Sequence, residues 1–294
     1  MIVFVHFVHF VLFVVRSVDP RDVFAFFGHA PLARVTRVHF AVRVIGVVDL
    51  LAGRAVHARA GQRDIYRPVQ SVAGTAIESG DAIALARTYV ACLGLTELYA
   101  ADLDAIMGGA SQDSLAAAMA AVGAPLWLDA GVSSADRARH ALALGAARAI
   151  VGLETLLSYS ELGEICAAVG GDHVAFSLDL RDGEPVMASG GIPPGEPAHV
   201  VAARAAAAGA GAVIVIDLAR VGTGRGLDIE LIARVREAAP GLVLLAGGGV
   251  RGLDDLMRLS DAGCDGALLA TALHDGRIGA GEIATAHRYA SVSR

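Results

Sequence analysis

The sequence predicts a single (β/α)8 barrel, an α/β fold in which eight parallel strands alternate with helices. Three observations predict it: a length of 294 residues, an alternation of short Val/Ile/Leu runs with longer Ala/Leu/Arg stretches, and a second half that repeats the first. We expect the barrel to span residues 41–294. The predicted strands, in chain order, are Val44–Val48, Glu97–Ala101, Pro125–Leu128, Ala147–Val151, His173–Leu178, Ala212–Ile216, Leu242–Ala246 and Gly266–Leu269.

The stretches between these strands have a helical period and carry helix start and stop signals. Ser133–Leu144 begins with serines and ends before Gly145, and Asp254–Ala262 ends before Gly263. Serine is a favoured N-cap, and glycine is favoured just past a helix because it adopts positive φ at little cost. Strand–helix units therefore follow one another along the chain, and eight of them close naturally into a barrel.

Residues 1–40 have no counterpart in the repeat. We predict an N-terminal extension that is disordered or that results from a misassigned start codon. Its segment Ile2–Val15 is apolar except for His6 and His9. This run is too short for a bilayer span, which needs about 20 residues, and it lacks the charge and cleavage site of a signal peptide. A segment that touches a membrane surface, or an extra element packed on the barrel, is the alternative.

Charge and cysteine usage narrow the partners and the cellular setting. The formal net charge is −6 and no run of basic residues occurs, so we expect no nucleic-acid partner. Cys92, Cys166 and Cys264 lie in apolar stretches, which indicates buried reduced thiols and not a disulfide framework or a metal cluster. We therefore predict a cytoplasmic monomer with no membrane partner and no metal.

The internal repeat matches aspartates between the two halves. Asp49 and Asp179 match, each followed at the same spacing by a glycine and a valine, and Asp102 matches Asp217. Each half contributes four strand–helix units, so repeat-related positions should face each other across the barrel. The active sites of such barrels lie at the carboxyl ends of the strands. Asp49 and Asp179, which end predicted strands 1 and 5, are therefore expected to face each other across the mouth.

Asp49 and Asp179 are the candidate catalytic pair. Two carboxylates on either side of a small substrate act as general base and general acid when one is ionised and the other protonated, so their environments must separate their pKa values. The structural alternative is that each aspartate caps the segment after its strand. We favour catalysis because the two positions are related by the repeat.

Glycines end the seventh predicted strand and indicate a phosphate site. In barrels a phosphate commonly lies beyond strands 7 and 8, bound by backbone N–H groups and the start of a short helix. Glycine lets the backbone approach an anion closely, although a tight turn alone would also use it. The predicted phosphate-binding residues are Gly247, Gly248, Gly249, Ala270 and Thr271.

The matching site of the first half has Asp129 where the second half has Gly247. A carboxylate beside a phosphate is repelled unless a cation intervenes, so we predict one phosphate site and not two. Asp129 is then available for a cationic or hydroxyl-bearing part of the substrate. The structural alternative is a carboxylate bonded to a neighbouring loop.

Four further polar residues are candidates for contact with the substrate. Thr223, after strand 6, has a hydroxyl that orients a substrate oxygen or a catalytic carboxylate, or else serves an ordinary turn. Arg59 belongs, with Arg63 and Arg67, to a basic cluster after strand 1 that meets an anionic substrate or forms a solvated face. Asp102 and Asp217, at the ends of strands 2 and 6, complete the predicted substrate-binding set.

These residues resemble the histidine-biosynthesis barrel family, which contains phosphoribosylformimino-AICAR ribotide (ProFAR) isomerase and the imidazole glycerol phosphate synthase cyclase subunit. The resemblance covers roughly Arg43 to the C-terminus and rests on the half-barrel repeat, Asp49, Asp179, Gly222-Thr223 and Gly247-Gly248-Gly249-Val250. It implies an Amadori rearrangement without metal or redox cofactor. By resemblance, Asp49 removes the sugar C2 proton, Asp179 protonates the ring oxygen, and Thr223 assists positioning.

Departures from the family pattern point to a divergent member. The isomerases bind a substrate with two phosphates and have glycine where Asp129 stands, and their Gly-Trp after strand 5 is replaced here by Ser189-Gly190-Gly191. The pattern from Leu98 to Ile106 is more similar to isomerase-like paralogues of methanogens and of methylotrophs that use tetrahydromethanopterin.

The leading hypothesis is accordingly a cofactor-independent, isomerase-like acid/base enzyme that acts on a small phosphorylated sugar or aminosugar derivative. Its role would lie in tetrahydromethanopterin- or methanofuran-linked one-carbon metabolism. One alternative is genuine ProFAR isomerase of histidine biosynthesis. The other is a non-catalytic barrel that binds a phosphorylated metabolite.

Overall fold

The computed structural model describes residues 42–188, 190–192 and 194–289. The prediction of an N-terminal extension over residues 1–40 lies outside these ranges and stays a prediction. No helix among the described residues is long and apolar enough to cross a membrane.

Eight parallel strands within the described residues form the barrel, and their order in space is their order in the chain. They are β1 (Arg43–Leu51), β2 (Leu98–Asp102), β3 (Leu126–Asp129), β4 (Arg148–Gly152), β5 (Val174–Arg181), β6 (Ala212–Asp217), β7 (Val243–Gly247) and β8 (Gly266–Leu269). Residues 43–46 of β1 pair in parallel with residues 266–269 of β8, which closes the sheet. The predicted (β/α)8 barrel is confirmed.

A helix lies between each strand and the next, and the last one follows β8. The helices are α1 (Ala82–Ala91), α2 (Asp113–Ala120), α3 (Ala135–Ala143), α4 (Tyr159–Val169), α5 (Ala198–Ala207), α6 (Ile229–Ala238), α7 (Leu253–Asp261) and α8 (Ala280–Tyr289). Short helical segments are Arg63–Ile65, Leu103–Ile106, Gly171–His173, Leu218–Arg220 and Thr271–His274. The strands outside the barrel are Arg54–His57, Arg67–Pro68, Ser71–Val72, Thr75–Ala76 and Glu184–Pro185.

The predicted helix signals act as expected at the two helices that carried them. The Ser134 side chain accepts a hydrogen bond from the Arg137 N–H at 3.3 Å and so caps α3. Gly145 follows α3 with a φ of +97°, and Gly263 follows α7 with a φ of +80°. Both glycines therefore end their helices in the left-handed conformation that other residues adopt at a cost.

Two barrel strands, β1 and β5, run three residues past their predicted ends. β1 continues past Asp49 and folds back as Arg54–His57, which places Asp49 opposite Val56. β5 continues past Asp179 and folds back as Glu184–Pro185. The two aspartates thus lie within their strands and not at the strand ends. The turn residues Ala52-Gly53 and Asp182-Gly183 all have positive φ, the conformation of a type I′ hairpin turn.

Apolar side chains pack in two layers. One layer fills the interior of the barrel and includes Ile45, Trp127 and Leu245. The other lies between the sheet and the helices. Together they hold the strands rigidly, so side chains at the carboxyl ends of the strands are positioned by the fold and not by flexible loops.

The three cysteines differ in exposure. Cys166 and Cys264 are buried, as predicted, and burial raises the pKa of the Cys264 thiol to about 12. Cys92 is exposed, so its predicted burial is wrong. It directly follows the last residue of α1, where the helix end faces solvent, and the apolar composition of its neighbours did not reveal that position.

Candidate active site

A cavity of about 280 Å³ opens at the carboxyl ends of the barrel strands. Asp49 of β1, Asp129 of β3, Asp179 of β5 and Glu154 after β4 line it. The ends of β7 and β8 line it as well. In a ring of eight strands, β3 and β4 lie across from β7 and β8, so the cavity has an acidic side and a glycine-rich side.

Asp49 and Asp179, predicted to face each other, meet in this one cavity. Burial, followed by the charge of Asp129, raises the pKa of Asp49 to about 7 although Arg63 lowers it. Burial also raises the pKa of Asp179 to about 7, with Glu154 and Asp129 adding to the rise, while the Ser177 hydroxyl and Arg63 oppose it. Each of these carboxyls is therefore populated in both its protonated and its ionised form near neutral pH, which suits general acid/base catalysis.

Asp129 is 9% exposed and lies beside the phenol of Tyr99. The Tyr99 hydroxyl donates to the Asp129 Oδ2 at 3.4 Å, and the Gly131 N–H donates to its Oδ1 at 3.2 Å. Burial raises the pKa of Asp129 to about 7 against these hydrogen bonds, and the charge of Glu154 adds to the rise. Burial and the charges of Asp129, Asp179 and Asp49 keep the pKa of Tyr99 far above its usual range, so Tyr99 is a neutral donor amid the carboxyls.

Glu154 was missed in the sequence, although the repeat carries a signal for it. It lies 25 residues after Asp129, as Ala272 lies 25 residues after Gly247, so the strand 3/4 corner has two acids where the strand 7/8 corner has Gly and Ala. Glu154 lines the cavity, and its charge raises the pKa of both Asp129 and Asp179. We call Asp129 and Glu154 the acidic corner.

Within the basic cluster of the loop after β1, the arginine that faces the cavity is Arg63 and not the predicted Arg59. Arg63 lines the cavity and its charge lowers the pKa of both Asp49 and Asp179. Arg59 is exposed and, among the described residues, is not part of the cavity wall. Arg63 begins the short helical turn Arg63–Ile65, and this local geometry orients its side chain toward the cavity. The spacing of charged residues in the sequence does not show which arginine of the loop has this orientation.

The predicted phosphate residues come together on the glycine-rich side. Gly247, Gly248, Gly249, Ala270 and Thr271 all line the cavity, and we call them the strand 7/8 corner. Gly248 and Gly249 have φ of +83° and +109°. A Cβ on Gly248 would lie 2.6 Å from the Asp217 carbonyl oxygen, and one on Gly249 would lie 2.8 Å from that of Gly226. These glycines are therefore required by backbone packing as well as suited to a close ligand.

Arg277 adds a positive charge to the wall of the cavity that the sequence reasoning did not select. Its guanidinium donates to both Asp275 Oδ2, at 2.8 Å, and the Arg251 carbonyl oxygen, at 3.2 Å. These contacts fix the side chain at the edge of the cavity. A fixed guanidinium with further N–H groups is suited to an anionic ligand.

Three predicted contacts do not reach the cavity, in the part of the chain that the structure describes. The Thr223 side chain is exposed, and its hydroxyl donates to the Arg220 carbonyl oxygen at 2.8 Å, which is the role of an ordinary turn threonine. Asp102 accepts hydrogen bonds from the Ala105 N–H and from Gln112 and caps the turn after β2.

Asp217 has the same capping role in the second half. It accepts from the Ala219 N–H and pairs with Arg220 at 2.9 Å. The match between Asp102 and Asp217 in the repeat therefore reflects two caps, and the geometry gives neither of them a place at the substrate.

The sequence of this chain is similar to one protein family and to several known proteins. A family model described as "Histidine biosynthesis protein" matches residues 43–279. An isomerase of a phosphoribosyl imidazole-4-carboxamide from Thermus thermophilus is 35% identical over 239 residues, which cover 81% of this chain and 96% of the relative. A similarly named isomerase from Natronomonas pharaonis is 34% identical, with 79% and 93% covered. An uncharacterized protein from Methanocaldococcus jannaschii is 30% identical, with 82% and 97% covered.

Proposed function

Because the chain belongs to the histidine biosynthesis protein family, we propose that its cavity rearranges an aminoaldose phosphate to an aminoketose phosphate. One observation carries the proposal: Asp49 and Asp179, related by the repeat, line one cavity, and each has a pKa raised to about 7. A carboxyl with such a pKa is present in both protonation states near neutral pH. It therefore serves as base or acid without a large cost in either state.

The proposed steps divide the work between the two carboxyls. Protonated Asp179 gives its proton to the ring oxygen, the ring opens, and the amino nitrogen forms a double bond to C1. Ionised Asp49 then removes the C2 proton, which leaves an enol. C1 gains the proton held by Asp49 while the enol hydroxyl gives its proton to Asp179, so the ketone forms and both carboxyls return to their starting states. Tyr99, a neutral phenol amid the carboxyls, is positioned to donate a hydrogen bond to a substrate oxygen.

We place the substrate phosphate at the strand 7/8 corner. Gly248 and Gly249 expose backbone there, Thr271 has a hydroxyl, and Arg277 has a positive charge. Phosphate oxygens accept hydrogen bonds from such groups. None of the proposed steps needs an external oxidant or reductant, so we propose catalysis without a cofactor. We also propose that the protein is a cytoplasmic monomer.

Two substrates fit this chemistry. The names of the relatives support the ProFAR isomerase alternative and give no support to a role in one-carbon metabolism. The acidic corner favours a second candidate, a substrate with a single phosphate and a cationic or hydroxyl-bearing group at its other end. Asp129 and Glu154 would repel a second phosphate, since neither carboxyl forms an ion pair with an arginine in the described part of the chain.

Complementation of a histidine auxotroph that lacks the isomerase distinguishes the substrates. Growth with the wild-type chain supports the ProFAR substrate and would sink the single-phosphate candidate. Loss of growth with Asp49→Asn or Asp179→Asn, but not with Asp64→Asn, is expected, because Asp64 is exposed in the loop after β1 and does not line the cavity.

Purified protein tests the second candidate. The double variant Asp129→Gly/Glu154→Ala gives these two positions the residues that the second half has at the matching positions, Gly247 and Ala272. We expect it to bind a second equivalent of inorganic phosphate that the wild type does not bind, as measured by isothermal titration calorimetry. Two equivalents bound by the wild type would contradict the single-phosphate candidate.

A further inference from the structure

A hydrogen bond between His57 and Thr271 takes no part in the acid/base steps proposed above. Thr271 lines the cavity after β8, while His57 ends the short strand that folds back on β1. The His57 Nε2 lies 3.0 Å from the Thr271 Oγ1. His57 is not itself among the described residues that line the cavity. This hydrogen bond connects His57 to the wall of the cavity.

A buried hydrogen-bonded chain lies behind His57. The ring of His274 meets the ring of His57 edge-on, with centroids 4.9 Å apart. The Tyr89 hydroxyl donates to the Val47 carbonyl oxygen at 3.1 Å and lies 2.7 Å from the His274 Nε2. Since the hydroxyl has one proton, the His274 Nε2 is the donor in the second contact. The His274 Nδ1 is then unprotonated and has no hydrogen-bond partner within the described chain.

Both imidazoles are neutral near pH 7. Burial lowers the pKa of His274 to about 3, and the neighbouring His57 lowers it further against the charge of Asp275. Burial also lowers the pKa of His57, the charge of Asp275 raises it, and the charge of Arg59 lowers it. A neutral His57 has one ring proton, so its Nε2 either donates to Thr271 or accepts from it.

The two tautomers of His57 give the Thr271 hydroxyl opposite roles. When Nε2 carries the proton, His57 donates to Thr271, and the threonine proton is free to point into the cavity. When Nδ1 carries it, Thr271 donates to His57 and presents only lone pairs to the cavity. A phosphate oxygen accepts hydrogen bonds and is repelled by lone pairs, so a bound phosphate selects the first tautomer.

We propose that His57 is a positioning residue for the substrate phosphate, whose Nε2–H turns the Thr271 hydroxyl into a donor at the strand 7/8 corner. The inference rests on the proposed function in taking that corner as the phosphate site. The preference of the strand 7/8 corner for a phosphate then depends partly on His57, which does not line the cavity.

Binding of inorganic phosphate to the full chain, measured by isothermal titration calorimetry, tests the inference. Thr271→Val removes the hydroxyl at nearly constant volume, and a loss of about tenfold in affinity is expected for a hydrogen bond to a charged group. His57→Leu is expected to weaken binding by about threefold or more, but to have no further effect in the Thr271→Val background, because its effect requires the hydroxyl. His57→Gln keeps an N–H donor and should restore most of the affinity.

A spectroscopic measurement reports the tautomer directly. Nitrogen-15 NMR of the phosphate-bound protein should show the His57 Nε2 as the protonated ring nitrogen. Protonation at Nδ1 instead would overturn the inference. So would an equal loss from His57→Leu with and without the Thr271 hydroxyl, because His57 would then act on the fold alone.

Two further outcomes separate this inference from the proposed function. If the wild type binds phosphate and Thr271→Val binds it equally well, the role of the hydroxyl is overturned while the phosphate site stands. If the wild type binds no phosphate at millimolar concentration, the phosphate assignment of the proposed function is overturned and this inference with it. Urea unfolding of each variant checks that the fold is retained.

Discussion

At the scale of single residues, the cavity contains carboxyl groups whose ionised forms are less stable in the folded chain than in water. Asp129 and Asp179 are 9% and 8% exposed, and both carry pKa values raised to about 7 chiefly by burial. Ionising both at once places like charges close together in a poorly solvated space. Enzymes accept such costs where the groups take part in binding or chemistry.

The raised pKa of Asp129 predicts a pH-dependent gain in stability from Asp129→Asn. A carboxyl whose folded pKa exceeds its unfolded value of 3.8 weakens the fold as pH rises from about 4 to about 7, because the folded state then binds more protons than the unfolded state. The gain in unfolding free energy should be near zero at pH 4 and about 1–3 kcal/mol at pH 8. Urea unfolding at both pH values measures it, and an equal gain at both would contradict this account.

The acid/base roles proposed for Asp49 and Asp179 predict a large fall in kcat when either carboxyl is replaced by an amide. Asp49→Asn and Asp179→Asn are each expected to lower kcat by about a hundredfold to ten-thousandfold, since an amide neither takes nor gives the proton. Steady-state kinetics with the substrate identified by complementation measures the loss. Asp64→Asn is the matched control, because Asp64 lies in the loop after β1 and outside the cavity wall, and it should leave kcat unchanged. A loss below about threefold in both cavity variants would exclude general acid/base catalysis by this pair.

At the scale of elements, the repeat brings equivalent hairpins to the two candidate catalytic positions, Asp49 and Asp179. β1 and β5 both extend past their aspartate and turn back through a pair of residues with positive φ. The extension hydrogen-bonds the backbone around each aspartate, as in the Val186 N–H that donates to the Asp179 carbonyl oxygen at 2.8 Å. Rigid strands thus hold both carboxyls, which favours a fixed geometry at the reacting atoms.

The turn after β7 predicts the effect of a single methyl group. Gly248→Ala would place a Cβ 2.6 Å from the Asp217 carbonyl oxygen at a φ of +83°. We expect it to lower the unfolding free energy by about 1–3 kcal/mol and to weaken phosphate binding. Gly241→Ala is the control, because nothing lies within 4 Å of its Cβ position. Urea unfolding that shows equal effects for both variants would contradict the role given to this turn.

Sequence patterns predicted the elements more completely than the site. Strand hydrophobicity and glycine stops located the barrel strands to within one residue at their starts, because both signals are local. The hairpins after β1 and β5 were missed although Gly53 and Gly183 mark their turns. Tyr99 was missed, and Arg63 was named only as a member of the basic cluster, because their place in the cavity depends on the closure of the barrel, for which no local pattern exists.

The repeat also misled in one respect. It matched Asp102 with Asp217 correctly, yet the structure shows both capping short helical turns outside the cavity. An N-capping aspartate and a ligand-binding aspartate occupy the same place at a strand end in sequence. Only the hydrogen bonds that each carboxylate already makes distinguish the two roles.

At the scale of the whole molecule, the two halves have the same arrangement of strands and helices. They differ in charge where the acidic corner of the first half matches the strand 7/8 corner of the second. Crystals soaked in phosphate are expected to show one phosphate, at the strand 7/8 corner. Asp129 and Glu154 should keep the strand 3/4 corner free of it by repulsion. Density for phosphate at both corners would contradict a single phosphate site and would favour a substrate with two phosphates.

The proposed mechanism requires that Asp49 and Asp179 each exchange a proton near neutral pH at the mouth of the barrel. Carbon-13 NMR titration of the aspartate carboxyl groups in the full chain tests it without requiring the substrate, with Asp49→Asn and Asp179→Asn assigning the signals. We predict that both signals titrate with apparent pKa values near 7 and that Asp129→Asn lowers both values, because the charge of Asp129 raises the pKa of each carboxyl. Independent titration of both carboxyls near pH 4 would contradict the account.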